Sequence, residues 1–225
     1  MATQTEENVL DLPETLTKTE AYIEENKNSL SIVVGAIVVI IAAYLYYAKV
    51  YIPGQEAEAE SKMFTAEYYF KQDSLMLAIN GNGMEPGFKQ IADDYGMTAS
   101  GNLAEYYQGI SYLRLGQFQE AIDHLGNFDS DDAMLGPIAI GAIGDAYMEL
   151  NQTDKALSYY QDAADKDDNH FTAPIYLKKA ATAQEMLGKY ADAAKTYKRI
   201  QKEFPDSREA QGIEKYIARA EGLVK

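Results

Sequence analysis

Hydrophobic residues follow two different patterns along this chain. From Leu30 to Ala48 it reads LSIVVGAIVVIIAAYLYYA, 19 consecutive residues without a charge. At ~1.5 Å of rise per residue, such a helix crosses a hydrocarbon core of ~30 Å. Tyr44, Tyr46, Tyr47 and Tyr51 collect at its C-terminal end, where a ring can sit in the acyl boundary and its hydroxyl in water. The pattern predicts a retained single transmembrane helix over residues 29–52. A buried core helix and a cleaved signal peptide are the alternatives. Signal peptides have shorter apolar cores behind a short basic segment. Here 29 residues precede the run, with seven acids against Lys18 and Lys27. Gly35 and Ala36 are small enough for another membrane helix to approach closely, and Tyr44 and Tyr47 complete that contact surface.

Residues 1–28 form an acidic N-terminal segment. Pro13 suits a first helical turn, and Lys18 can pair with Glu14 at i,i+4. A short surface helix over residues 13–28 is expected to run on into the span, after a disordered stretch at residues 1–10. Pro53-Gly54 is expected to break the membrane helix. Lys18 and Lys27 lie before the span and Lys49 and Lys62 after it, so basic charge alone does not orient it.

Beyond residue 102 the apolar positions take a helical period and the sequence repeats itself. AEYYQGISYLRLGQFQEAIDHL starts at Ala104, AIGAIGDAYMELNQTDKALSYY at Ala139 and YLKKAATAQEMLGKYADAAKTY at Tyr176, at separations of 35 and 37 residues. A period of this size means stacked supersecondary units. Gly109, Gly144 and Ala181 correspond, as do Ala121, Ala156 and Ala193. Each pair places a small residue on either helix of a hairpin where the two cross. Tyr112, Tyr147 and Gln184 follow the first small position. Gly116, Asn151 and Gly188 suit a left-handed cap that ends the first helix. Phe118 and Tyr190 then pack between repeats, and Pro205 closes the third.

The flanks are helical but off this pattern, as terminal repeats usually are. Residues 56–80 read as one long helix with Met63, Phe64, Tyr68, Phe70 and Leu77 to bury, followed by a turn at Gly81-Asn82-Gly83 and a helix from Pro86 to Tyr95. Asp206 to Glu209 resembles a capping box, and Ala210, Ile213, Ile217 and Ala220 form an apolar stripe reaching Leu223. The organisation expected is all-α: a divergent helical pair at 54–101, three repeats at 102–206 and a capping helix at 207–225.

Composition narrows the function. The 225 residues carry 35 Asp+Glu against 20 Lys+Arg, a formal net charge of -15, which argues against nucleic acid. The absence of cysteine removes disulfide scaffolds, thiol catalysis, zinc fingers and an acylated lipoprotein anchor. Little catalytic or metal chemistry is visible. Asp165 to Asn169 is similar to a calcium loop, but His170 and Tyr176 stand where its Gly and Glu belong. Asp129-Ser130-Asp131-Asp132 reads the same way, as a solvated loop. Gly81-Asn82-Gly83 lacks the Lys-Ser/Thr of a phosphate loop. Neither His124 nor His170 has a recognisable nucleophile, and His124 reads as packing. No catalytic residue, cofactor or metal is expected.

The three segments resemble the tetratricopeptide repeat (TPR) family over about residues 102–206. The departures are Gln184 for the usual Tyr and the missing Pro after the first two repeats. The resemblance implies an α-solenoid whose first helices line a concave groove. Groove positions would be Tyr106, Ile110, Leu113 and Arg114, then Gly141, Asp145, Met148 and Glu149, then Lys178, Thr182 and Glu185. Family members that read chaperone C-termini carry a carboxylate clamp, with Lys and Asn where Tyr106 and Ile110 stand here.

An acidic N-terminal segment, one span and a C-terminal TPR array together resemble the YfgM-like inner-membrane proteins, ancillary subunits of the bacterial Sec translocon. The wording of Ser100–Leu113 and of Gly144–Asn169 is similar to versions from Bacteroidota. The resemblance spans roughly residues 15–222. It implies a single-pass protein of the bacterial inner membrane, with its N-terminus cytoplasmic and its TPR domain periplasmic. The implied partners are a SecYEG-type translocon, a PpiD-like membrane-anchored chaperone and unfolded clients. A periplasmic TPR scaffold for envelope or cell-division proteins is the alternative, and an N-anchored organellar import receptor a third reading.

Overall fold

The computed structural model describes the backbone of residues 12–224 and the side chains of residues 20–224, and these divide into two compact units that meet between Pro53 and Gly54. The expected disorder at residues 1–10 and the Glu14–Lys18 pair lie outside the described residues and side chains. Among the described residues every regular element is helical.

In the first unit, α1 (Leu12–Tyr46) joins the acidic segment to the apolar run in one helix. Its most apolar 18-residue window has a mean hydropathy of 2.4 and no protein covering it, so it is long and apolar enough to cross a membrane. Gly35 has open space around it, while Tyr44 and Tyr46 are exposed and Tyr47 stacks on Tyr51. From Tyr47 to Tyr51 the backbone widens into a π-turn, with the Ile52 N–H donating to the Tyr47 carbonyl. Pro53 and Gly54 do not break the helix as expected. They are the second and third residues of α2 (Ile52–Lys71). A proline lacks an N–H and crowds the carbonyl one turn back, and a widened turn accommodates both defects.

The second unit is a stack of helix pairs. The single helix expected over 56–80 is two: α2 ends at Lys71, Asp73 takes a left-handed φ of 58°, and α3 (Leu75–Asn80) follows. The break turns α3 toward α4 (Phe88–Tyr95) and α5 (Ala99–Arg114). Ala59, Met63 and Ala66 of α2 are buried against Phe88, Ile91, Tyr95 and Ala104, and Phe70 packs at the edge of that cluster. Phe64, Tyr68 and Leu77, expected in the core, lie exposed: the α2 contact face is Ala59, Met63 and Ala66, and α3 buries Leu75, Ala78 and Ile79 instead.

Three hairpins follow: α5 with α6 (Phe118–Asn127), α7 (Leu135–Glu149) with α8 (Thr153–Lys166), and α9 (Thr172–Met186) with α10 (Tyr190–Glu203). A Cβ on Gly109 would run into Leu125, and one on Gly144 would lie 2.7 Å from the Tyr160 ring. Ala121, Ala156, Ala181 and Ala193 have no exposed surface. Each first helix ends alike. Gly116, Asn151 and Gly188 have φ near +74°, +57° and +73°, and the following N–H donates back to the carbonyl of Tyr112, Tyr147 or Gln184. Two ends thus use glycine and one asparagine, the residues that tolerate this backbone best. Asp132 and Asn169, 37 residues apart, use a side-chain oxygen to accept two N–H groups at the starts of α7 and α9.

At the C-terminal end Ser207 caps a short 3-10 turn (Arg208–Ala210), and Gly212 at φ 67° precedes α11 (Glu214–Leu223). The capping box expected at 206–209 therefore starts that turn rather than the last helix. Ile213, Ile217 and Ala220 are buried as the stripe predicts, whereas Leu223 is exposed.

Most ion pairs between successive helix pairs share one sense. Asp73–Arg114, Asp145–Lys179, Asp154–Lys189, Asp165–Arg199 and Glu185–Arg219 place the acid on the earlier side and the base on the later one, and Asp131 of the loop before α7 meets Lys166 of α8. Lys198–Glu221, between α10 and the terminal helix α11, is reversed.

Candidate functional site

The first helices of the repeats, α5, α7 and α9, lie side by side with α2 ahead of them, and clefts open between neighbours. Between α5 and α7 a cleft of about 640 Å³ is lined by Leu113, Arg114, Phe118, Asp145, Met148, Glu149 and Tyr160. Between α7 and α9 a second, of about 370 Å³, is lined by Met148, Tyr160, Ile175, Lys178, Lys179, Thr182 and Glu209. Met148 and Tyr160 belong to both, so the two clefts form one groove with an apolar floor. Seven of the expected groove residues are brought together here: Leu113, Arg114, Asp145, Met148, Glu149, Lys178 and Thr182.

Four others are engaged elsewhere. Tyr106 packs its ring against Tyr107 and Phe128, and with Ile110 it borders the core of the first two repeats. Burial pushes its phenol above the usual tyrosine range. Gly141 is buried, and the Tyr176 ring occupies the space a side chain would need. Glu185 is tied to Arg219 of α11 and accepts from the Tyr197 hydroxyl. Family position alone does not reveal these roles, because the residues that cover Tyr106 and Gly141 come from Phe128 and Tyr176, outside each first helix's own pattern.

A polar knot fixes the floor. The Tyr160 hydroxyl donates to Asp145 at 2.7 Å, and Lys179 donates to both Asp145 oxygens. Burial first, and then this hydrogen bond to a carboxylate, push Tyr160 well above its ordinary range. Tyr176, shielded beside it, moves the same way. The knot joins α7, α8 and α9 and neutralises Asp145. Arg114 is engaged too, through Asp73 and the Phe70 ring.

Sequence reasoning missed the cleft between α2 and α5, of about 450 Å³, lined by Glu56, Glu60, Met63, Phe64, Glu67, Ser100 and Leu103. Residues of α2 align with no repeat, so no register placed them. Tyr160 was legible: it corresponds to Leu125 and Tyr197, one turn beyond the small residue of each second helix. His124 stacks on Tyr112 and bonds Glu105.

Comparison with known proteins agrees with this architecture. One tetratricopeptide repeat family model matches residues 142–208 and another residues 103–130. Two crystal structures of a putative kinesin light chain from Podosopora anserina, described as having nearly identical TPR-like repeats, superpose with a TM-score of 0.56; one of them is a point-substituted form. They are 15% and 14% identical, and each comparison covers 75% of this chain and 87% of the other. That likeness shows the fold. No curated protein matches the sequence. Residues 103–130 and 142–208 thus carry TPR repeats, within a TPR-like solenoid.

Proposed function

We propose that this TPR chain is a membrane-anchored protein-interaction subunit of the YfgM-like kind. The apolar part of α1 crosses the bacterial inner membrane once, the N-terminus is cytoplasmic, and residues 54–225 work in the periplasm. There the repeats at 102–206, between caps at 54–101 and 207–225, engage a SecYEG-type translocon and a PpiD-like chaperone. They hold or hand on emerging envelope proteins. The groove over Met148 and Tyr160 is the partner site, with Leu113, Arg114, Glu149, Lys178 and Thr182 around it. Gly35, Ala36, Tyr44 and Tyr47 are the contacts for other membrane helices.

The observation that carries this reading is a continuous groove with an apolar floor, on a chain that also has an apolar helix no protein covers. Apolar anchors in a concave site are where binding energy concentrates. A membrane tether adds to it by raising the effective concentration of partners in the same bilayer. The test is affinity purification of the full chain from detergent-solubilised membranes, beside Met148→Gln. Translocon and chaperone subunits should be enriched with the wild type and depleted with the variant. Enrichment of wall-synthesis proteins instead would overturn the translocon assignment in favour of an envelope scaffold.

A further inference from the structure

A separate cleft opens between α2 and the first turns of α5, with Met63, Phe64 and Leu103 as apolar wall and Glu56, Glu60 and Glu67 as rim. Leu103 stands ten residues before Leu113 of the main groove on the same helix, a distance of ~15 Å. Phe64 is 76% exposed on a helix whose other large side chains are better covered. At roughly 8–10 Å between helix axes, the row α2, α5, α7, α9 spans about 25–30 Å. An extended chain needs about ten residues to cross the row and that offset along α5.

The charges along this row are unbalanced. Arg114 and Lys179 are held by Asp73 and Asp145. Lys178 lies over the face of the Tyr216 ring and has no ion-pair partner among the described residues. Against these, Glu56, Glu60, Glu149 and Glu209 line the clefts without an ion-pair partner among the described residues, and Glu67 has a single 3.5 Å contact to Lys71. Glu56 is held in place by the Ser100 hydroxyl and N–H, which donate to its two oxygens. Its rim therefore presents carboxylate at a fixed position beside apolar wall.

Resting on the groove reading above, we infer that the occupant is an extended polypeptide segment in which apolar side chains alternate with arginine or lysine. Its cationic residues meet the glutamates of the α2–α5 end and Glu149. Its apolar residues fill the Met148–Tyr160 floor. A long basic side chain suits the α2–α5 cleft in both of its parts. The stem lies along Met63, Phe64 and Leu103 while the head reaches the carboxylates, and the Phe64 ring face adds attraction for a cation. Acidic apolar segments are repelled by the same rim.

The experiment uses the full chain in nanodiscs and three fluorescein-labelled 12-residue peptides that alternate Leu with Arg, Ser or Glu. Anisotropy should show the Leu/Arg peptide binding about threefold to tenfold more tightly than Leu/Ser, as two or three solvent-accessible ion pairs allow. Leu/Glu should bind most weakly. The advantage of Leu/Arg over Leu/Ser should shrink in high salt and in the Glu60→Gln, Glu149→Gln double variant. Met148→Gln should weaken all binding. Equal affinities for the three peptides, still weakened by Met148→Gln, would overturn the charge inference and leave the groove reading standing. Binding by none, or binding indifferent to Met148→Gln, would overturn both.

Discussion

The hairpin crossing at Gly144 offers a sharp test of the packing argument. A Cβ there would sit 2.7 and 2.8 Å from two carbons of the Tyr160 ring and 3.4 Å from the Ala156 carbonyl oxygen. The ring has little freedom to retreat, because its hydroxyl is bonded to Asp145 and the side chain is buried. Replacing glycine in a helix interior ordinarily gains up to about 1 kcal/mol from propensity. Overpacking a close-packed site costs about 1–3 kcal/mol and can exceed that. Gly144→Ala should therefore be close to neutral or mildly destabilising, and Gly144→Leu destabilising by roughly 1–3 kcal/mol net. For a unit of this size each kcal/mol shifts the melting midpoint by about 2–4 °C. The control is Gly126→Ala, near the end of α6, where an added Cβ meets nothing within 4 Å. It should raise the midpoint slightly. The assay is thermal circular dichroism at 222 nm on the detergent-solubilised chain. A Gly144→Leu midpoint equal to or above wild type, with Gly126→Ala behaving as expected, would refute the assignment of this glycine to a helix crossing.

Three further outcomes are expected. Asn151 holds a left-handed φ of 57°, so Asn151→Ala should cost about 1–2 kcal/mol while Asn151→Gly is tolerated, as denaturant midpoints would report. Tyr160 and Tyr176 have raised phenol values in the fold, so the stability they contribute is complete below their unfolded value near pH 10. It is lost as pH rises toward the folded values, and Tyr160→Phe should flatten that alkaline loss in unfolding measured from about pH 9 to 12. Protease added outside spheroplasts should remove the TPR part and leave a small anchored N-terminal fragment; full protection would reverse the proposed topology.

The repeat region was legible because its steric demands recur at a fixed interval. A small residue at each crossing and a Gly or Asn at each helix end are local requirements, and the structure meets them at the expected numbers. Reading failed where a contact depends on a neighbour with no counterpart. Phe64 and Tyr68 look like core until Ala59 and Ala66 turn out to face α4 and α5. The break at Asp73 rests on a non-glycine residue in a left-handed conformation, which composition does not announce. Pro53 reads as a helix breaker until the π-turn before it is seen. In the groove, Leu113 and Met148 line the clefts at the repeat positions expected of them, whereas the rings of Phe128 and Tyr176 close over Tyr106 and Gly141.

The ion pairs between the second and third repeats bear on how such an array can lengthen. At this one junction Asp145, Asp154 and Asp165 of the α7–α8 hairpin meet Lys179, Lys189 and Arg199 of the α9–α10 hairpin. The α7–α8 positions that correspond to those bases, 37 residues earlier, are Ala142, Gln152 and Asp162. A tandem copy of α7–α8 would therefore bring Asp165 of one copy toward Asp162 of the next and offer no base at any of the three positions. A copy of this unit joins its neighbour well only when its incoming face also changes charge.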